Sequence, residues 1–330
     1  MPVANVRSRW NKSGWEGSLD FYGAVSGNSI LTLSPGGAVF PNPYGGADYF
    51  VDGNVSATGD GLSWGTAFLT LAEAITASNT SIALTANRWF ARRNRIFVCG
   101  DQEIEEDLTI LPEKCDVIGV GYDINPYPMI IGNHAIAATR PTAGSANGCR
   151  FINCGFLDKV GATDTFVAPA GCNGLAFLGC HFIPLVTGST GTAIELTNCA
   201  AVRIENCLID VRGGLATGIF GLAIDIKGTT SIHDLRILNN QITATVGITI
   251  AAGGTIGSLV QGNTIRATGY CLDDASDTVQ VVNNRFMSDA SDDLTGTGGS
   301  ALAVHCGPHV AVGNYLVSSN HHNTLYPAAT

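Results

Sequence analysis

From about residue 95 onward, apolar and polar positions alternate in short runs, and one local pattern keeps returning. Two apolar positions are followed by Asn or Gly, then Asn or Cys, then any residue, then an apolar one. The instances are FINCGF (151–156), FLGCHF (177–182), IENCLI (204–209), ILNNQI (237–242), VQGNTI (260–265), VVNNRF (281–286) and AVGNYL (311–316). Alignment puts Cys154, Cys180, Cys207, Asn240, Asn263, Asn284 and Asn314 in one column. Two positions on stand Phe156, Phe182, Ile209, Ile242, Ile265, Phe286 and Leu316. Successive column members lie 26, 27, 33, 23, 21 and 30 residues apart. Constant local register with variable spacing predicts constant strands joined by variable loops, and alternation with period two excludes a helical repeat.

A second strand precedes several column members: Ile194-Glu195-Leu196, Ile224-Asp225-Ile226 and Ile248-Thr249-Ile250. The expected fold class is therefore all-β, a right-handed parallel β-helix over roughly residues 95–320. In such a solenoid each coil buries its apolar face only against its neighbours. Asn in the column is expected at a bend, where it tolerates unusual backbone angles and its amide bonds the next coil. Cys fills the same inward position as a small buried hydrophobe. Cys172, Cys199 and Cys306 each lie eight residues before a column member, so Cys172 and Cys199 are expected to stack on adjacent coils. Stacking brings the thiols within disulfide reach, while parallel side-chain directions oppose the torsion a disulfide needs. Both buried thiols and disulfides made in oxidising surroundings stay open.

A solenoid must cover its open ends. Residues 66–78 place Phe68, Leu71, Ala72 and Ile75 on one helical face, and Thr70 with Glu73 forms a possible capping box. This segment predicts a plugging helix that starts at Thr66 or at Thr70. Upstream, residues 15–33 read as a β-hairpin with strands near 18–23 and 29–33, and 34–46 as a linker rich in turn residues. The expected organisation is an N-terminal β element and linker over 1–45, the β-helix with its helix over 46–320, and a tail over 321–330.

Composition narrows the function classes. Only 13% of residues are charged and the net charge is −10, so no global positive field exists to hold a phosphate backbone, and nucleic acid is not an expected partner. The basic cluster Arg88, Arg92, Arg93 and Arg95 reads as a solvated face or a contact with an acidic partner. No window is long and apolar enough to span a membrane, and the opening residues do not resemble a signal peptide, so assembly in a cytoplasm is expected. No Cys or His pairing has zinc spacing, and neither a metal nor a cofactor is expected.

The segment YFVDGNVSATGDGLSWGTAF (49–68), the helix after it, NRIFVCGD (94–101) and CDVIGVGYD (115–123) together resemble the entry and first coil of pectate-lyase-like β-helix proteins. That resemblance implies the fold and leaves the activity open, since enzymes and non-enzymes share it. WEGSLDFYGAVSGNSILTL (15–33) resembles the N-termini of tailed-phage virion proteins. It implies an attachment or trimerisation element rather than a catalytic one.

Lyases of this fold need clustered carboxylates for calcium and a base, and the related hydrolases need paired carboxylates on one face. Asp273, Asp274, Asp292 and Asp293 form a candidate carbohydrate or cation site across adjacent coils, with solvated loops as the plain alternative. No catalytic residue is assigned. The expected function is a non-enzymatic structural virion protein of a tailed phage, first a homotrimeric capsid decoration (cement) protein bound to the major capsid protein or another virion protein, and second a tail or neck appendage. The alternative is a tailspike-like protein that binds or degrades polysaccharide.

Overall fold

Alternation decides which side of each strand is buried, and parallel pairing then repeats that decision from coil to coil. The computed structural model describes residues 42, 45–83, 92–100, 103–121, 128–137, 148–184, 190–210, 218–228, 232–251, 255–276 and 279–288, with only the backbone of short strands beyond these. The chain is mostly strand, in long parallel sheets compatible with an all-β parallel solenoid.

The first sheet has ten strands in chain order. It starts at Asp48–Val51, Asn94–Cys99 and Cys115–Val120, and continues through Arg150–Ile152, Ala176–Leu178, Arg203–Glu205 and Arg236–Leu238 to Leu259–Gln261, Gln280–Val282 and Ala311–Val312. The second sheet has two limbs. One stacks Met129–Ile131, Gly155–Leu157, His181–Ile183 and Leu208–Ile209; the other stacks His134–Ala135, Phe166–Ala168, Thr192–Thr197 and Phe220–Lys227. Strand Gln241–Ile250 belongs to both limbs. Its first half pairs with Leu208–Ile209 and Thr264–Ala267, its second with Phe220–Lys227 and Leu272–Asp274.

From Arg150–Ile152 onward, each coil leaves the first sheet and enters the second through a turn of two residues. The unusual backbone angles fall one residue before the Cys/Asn column, not on it as expected. Asn153, Asn206, Asn239 and Asn283 have φ of 56°, 54°, 55° and 53°, and Gly179 and Gly262 have 62° and 69°. A left-handed residue reverses the chain sharply, and Asn and Gly accept that conformation at least cost. The next side chain then drops into the interior.

There it meets the carbonyl of the coil before. Asn240 Nδ2 donates to Ile204 O, Asn263 Nδ2 to Ile237 O and Asn284 Nδ2 to Val260 O, each at 2.9 Å. The cysteines donate to the equivalent position: Cys180 Sγ lies 3.4 Å from Phe151 O, and Cys207 Sγ 3.4 Å from Phe177 O. Cysteine thus acts as a weak donor and not only as an apolar filler. Asparagine also accepts: Asn263 Oδ1 takes Asn240 N and Asn240 Nδ2 at 2.9 Å, and Asn240 Oδ1 takes Cys207 N at 2.8 Å. Asn314 lies outside the described residues. Beside this ladder, in-register pairing stacks like on like. Phe156 and Phe182 stack at 4.9 Å, and Phe151 and Phe177 at 5.6 Å.

The helix spans Leu71–Ala83, capped by Thr70 and running past the expected 78, while Trp64–Thr66 forms a single 3-10 turn. Thr70 N donates to Glu73 Oε2 at 3.1 Å and Glu73 N to Thr70 Oγ1 at 3.3 Å, a reciprocal capping box. Glu106 adds a second cap from the solenoid itself, accepting Leu71 N at 2.8 Å and Ala72 N at 3.0 Å. Burial pushes the Glu106 carboxyl above its ordinary value, and these two amides oppose that rise. Buried Leu71, Ala74, Ile75 and Ile82 face the first strands. Asn94 locks the contact, donating through Nδ2 to Ser78 O at 3.1 Å and accepting Ala47 N at 2.8 Å. The helix therefore closes the N-terminal end of the stack.

The hairpin expected between 18–23 and 29–33 lies outside the described residues, except for Leu33, which pairs antiparallel with Ala38. A second tight pair joins Trp10–Asn11 to Gly14–Trp15. The tail 321–330 also lies outside the described residues.

Two outcomes test this interior. Replacing Asn263 by Leu strips partners from Asn240 and Ile237, so denaturant unfolding is expected to show a loss of about 3–5 kcal/mol. Asn263→Cys keeps the donor and is expected to lose roughly half as much; equal losses would refute the donor role of cysteine. His134 is fully buried beside Phe156 and Phe166, and its Nδ1 accepts Leu108 N at 3.1 Å. Burial lowers its pKa to about 4. The folded value lies below the unfolded one, so stability is full above about pH 6.5 and falls as pH drops toward 4. His134→Phe is expected to remove about 3 kcal/mol of the stability difference between pH 7 and pH 4, read by denaturation at both pH values.

Candidate functional site

Outward positions on the second limb pair face solvent, and on the limb with Phe166–Ala168 one row takes one residue from each coil. Pairing aligns Val167, Glu195, Asp225, Thr249 and Asp273 in that order. Their neighbours Ile194, Ile224, Ile248 and Leu272 point inward and are buried. Adjacent strands lie about 4.8 Å apart, so from Glu195 on the row places a polar group at each such step.

Lys227 bridges the row. Its Nζ lies 2.7 Å from Glu195 Oε2 and 3.2 Å from Asp225 Oδ2. Thr249 Oγ1 donates to Asp225 Oδ1 at 2.6 Å. Asp164 stands at the lower edge and accepts Thr192 N at 2.7 Å. Burial pushes the Glu195 carboxyl above its ordinary value; Lys227 pulls it back, and the Asp164 carboxyl bonded to it pushes it up again. The bond to Glu195 in turn raises the Lys227 ammonium. The row therefore holds an ammonium between its two nearest carboxylates, Glu195 and Asp225.

The candidate pair Asp273 and Asp274 belongs to strand Leu272–Asp274, not to a loop. Alternation sends its members to opposite sides: Asp273 outward into the row, Asp274 inward, where it accepts Ser276 N at 3.0 Å and Ser276 Oγ at 2.5 Å. These two carboxylates do not meet. Asp292 and Asp293 lie outside the described residues. Among the described residues no group of three or more His, Cys, Asp or Glu can hold a metal ion. The carboxylates that do align were visible as the central residues of Ile-Glu-Leu and Ile-Asp-Ile, since the centre of such a triplet faces away from its apolar neighbours.

Five of the described thiols are shifted away from the thiolate form. Burial pushes Cys115 and Cys154 up to about 12, and Cys149 and Cys180 well above the ordinary value. Cys199 is raised first by its bond to the Cys172 thiol, then by burial. A reactive cysteine needs the opposite shift. Both stacked residues, Cys172 and Cys199, are thiols.

The first sheet presents a different outward face. One row aligns Asp48, Arg95, Asp116 and Arg150. Arg95 forks onto Asp48 at 2.8 and 2.6 Å, and Arg150 onto Asp116 at 2.7 and 2.5 Å, with Arg93 also paired to Asp116. Burial works to raise Asp116, but Arg150 and Arg93 outweigh it and hold the carboxyl below its ordinary value. Arg93 and Arg95 thus serve internal pairs; Arg92 is exposed and Arg88 lies outside the described residues. The row beside it is apolar, running Phe50, Phe97, Ile118, Ile152 and Leu178, then after Glu205 continuing to Leu238. Phe97 to Leu178 and Leu238 are half-buried. Trp64 meets Phe50 edge-on at 4.9 Å, and Phe50 stacks on Phe97 at 5.5 Å.

Lys227→Met is expected to move the Glu195 carboxyl titration upward, read by carbon NMR of the side-chain carboxyl; an unmoved or lowered value would show that the ammonium does not govern it.

No helix among the described residues is long and apolar enough to cross a membrane. No family model, curated protein or solved structure matches the chain, so its likeness to pectate-lyase-like and tailed-phage proteins remains an expectation.

Proposed function

We propose that this chain is a structural assembly protein, a tailed-phage virion component that decorates the capsid as a homotrimer and stabilises the head. The observation that carries the reading is the half-buried apolar row down the first sheet, bordered by paired charges. A flat apolar strip with a polar border suits a protein surface. Residues 1–45 serve as the attachment element in this proposal, on the phage-like pattern of 15–33, and the major capsid protein is the partner. The protein assembles in the host cytoplasm and ends in the virion. The solenoid winds right-handed, the hand taken by nearly all crossovers between parallel strands of one sheet. It works by added contact area: each copy ties capsid subunits through further interfaces, so internal pressure must break more contacts. A specific interface of this kind buries about 800 Å² per partner.

A second reading, polysaccharide hydrolysis, is favoured by one observation. Asp225 and Asp273 share an outward row with Thr249 between them. Two strand steps make about 9.6 Å, close to the upper end of the separation used by inverting hydrolases. Lys227 weighs against it, since it already neutralises Asp225.

Removing residues 1–45 is expected to abolish co-sedimentation with capsid particles while the remaining chain keeps its β circular-dichroism spectrum. Undiminished association of the truncated protein would sink the attachment role. Depolymerase activity lost on Asp273→Asn would favour the second reading.

A further inference from the structure

We infer that copies of this chain pack side by side, the first-sheet face of one against the Glu195–Asp225 face of the next, with arginines and carboxylates setting the register. The inference rests on the assembly reading above and names a second copy as the partner of the first-sheet face.

The two faces share one ruler, because each outward row takes one residue per coil and coils repeat about every 4.8 Å. Winding order fixes their relative heights. The strand of Arg203 follows that of Glu195 and precedes that of Asp225, and the strand of Arg236 follows that of Asp225 and precedes that of Thr249. A rotation about an axis parallel to the solenoid leaves every height unchanged. Arg203 of one copy then stands level with the gap between Glu195 and Asp225 of the next, and Arg236 with the gap between Asp225 and Thr249. Packing one face against a different one is head-to-tail, and around such an axis it closes into a ring.

The charges are opposite as well as in step. The first-sheet face carries five guanidinium groups against three carboxylates, Asp48, Asp116 and Glu205. Among the described residues, the row of the other face carries the carboxylates Asp164, Glu195, Asp225 and Asp273, with the Lys227 ammonium between two of them. The internal pairs Arg203–Glu205 and Lys227–Glu195 have their cationic ends about half exposed, at 53% and 48%. Pairs so open to water are weak and exchange partners readily. Next to the arginines, half-buried Leu178 and Leu238 supply apolar surface that a neighbour desolvates. A partner lacking the same coil repeat would meet one of these two pairings and miss the other; a second copy meets both, sharing the Glu195–Asp225 carboxylates with half-exposed Lys227.

The test is sedimentation velocity of the full chain across concentration at low salt and at about 0.5 M salt, where charge steering is screened. The wild type is expected to be oligomeric and to loosen with salt. Arg236→Glu and Arg203→Glu are each expected to weaken association about 10-fold or more, with thermal unfolding unchanged. Asp225→Arg does the same alone, and the swapped pair Arg236→Glu with Asp225→Arg is expected to recover to within about 3-fold of wild type. A wild type that stays monomeric to about 100 μM, or folded charge variants that associate as wild type does, overturns the inference. So does a swapped pair that recovers nothing. Capsid co-sedimentation lost on removing 1–45 while charge variants still associate normally would keep the assembly reading and reject this interface. The reverse pattern would keep the interface and reject the attachment role.

Discussion

In-register parallel pairing is the constraint on which the rest depends. Because Phe151 pairs with Phe177 and then Ile204, whatever one coil places inward the next must also accept. A buried polar side chain is tolerable in such a stack only if its neighbour in the next coil completes it. Asn240, Asn263 and Asn284 meet that condition: each accepts from and donates to the coil before, and Asn240 and Asn263 also donate to the amide oxygen of the coil after. The same rule outside the barrel makes rows: Asp48 over Arg95 over Asp116 over Arg150 alternates in sign, so each charge lies beside an opposite one. Like charges in those positions would repel at every step.

The interior was largely legible in the sequence, and the faces were not. The column from Cys154 to Asn284 stood out because a turn of fixed length leaves no freedom in spacing. Its geometry was misplaced by one residue, since Asn at two successive positions, as in Asn239-Asn240 and Asn283-Asn284, hides which one turns and which one bonds. The helix shifted for a different reason. Thr66 and Thr70 both satisfy a local capping pattern, and Glu106, 35 residues on from Leu71, holds the amides that start the helix. No local signal carries such a choice.

Asp273 and Asp274 show the opposite failure. GYCLDDASD is rich in residues that favour turns, yet pairing with Ile248–Ile250 draws Leu272–Asp274 into a strand. Once extended, adjacent residues face opposite ways, and a pair that looked like a cation site becomes one surface carboxylate and one buried one. The outward direction of Glu195 and Asp225 was visible locally, but their joining with Thr249 and Asp273 in one row was not, because these residues are 24 to 30 apart and acquire a common face only through stacking.

The ladder has a direction. Cysteine occupies it in the earlier coils and gives a donor without an effective acceptor, whereas each later asparagine gives both. Asn263, with an asparagine coil on each side, therefore sees partners of one kind below and above, whatever the length of the loops. A gene encoding this region can gain or lose a whole coil there and leave each remaining junction chemically identical. The stretch before Cys207 lacks that interchangeability, because its thiols cannot receive the amide that an inserted asparagine coil would present. The length of this rod is thus open to change at one end and fixed at the other.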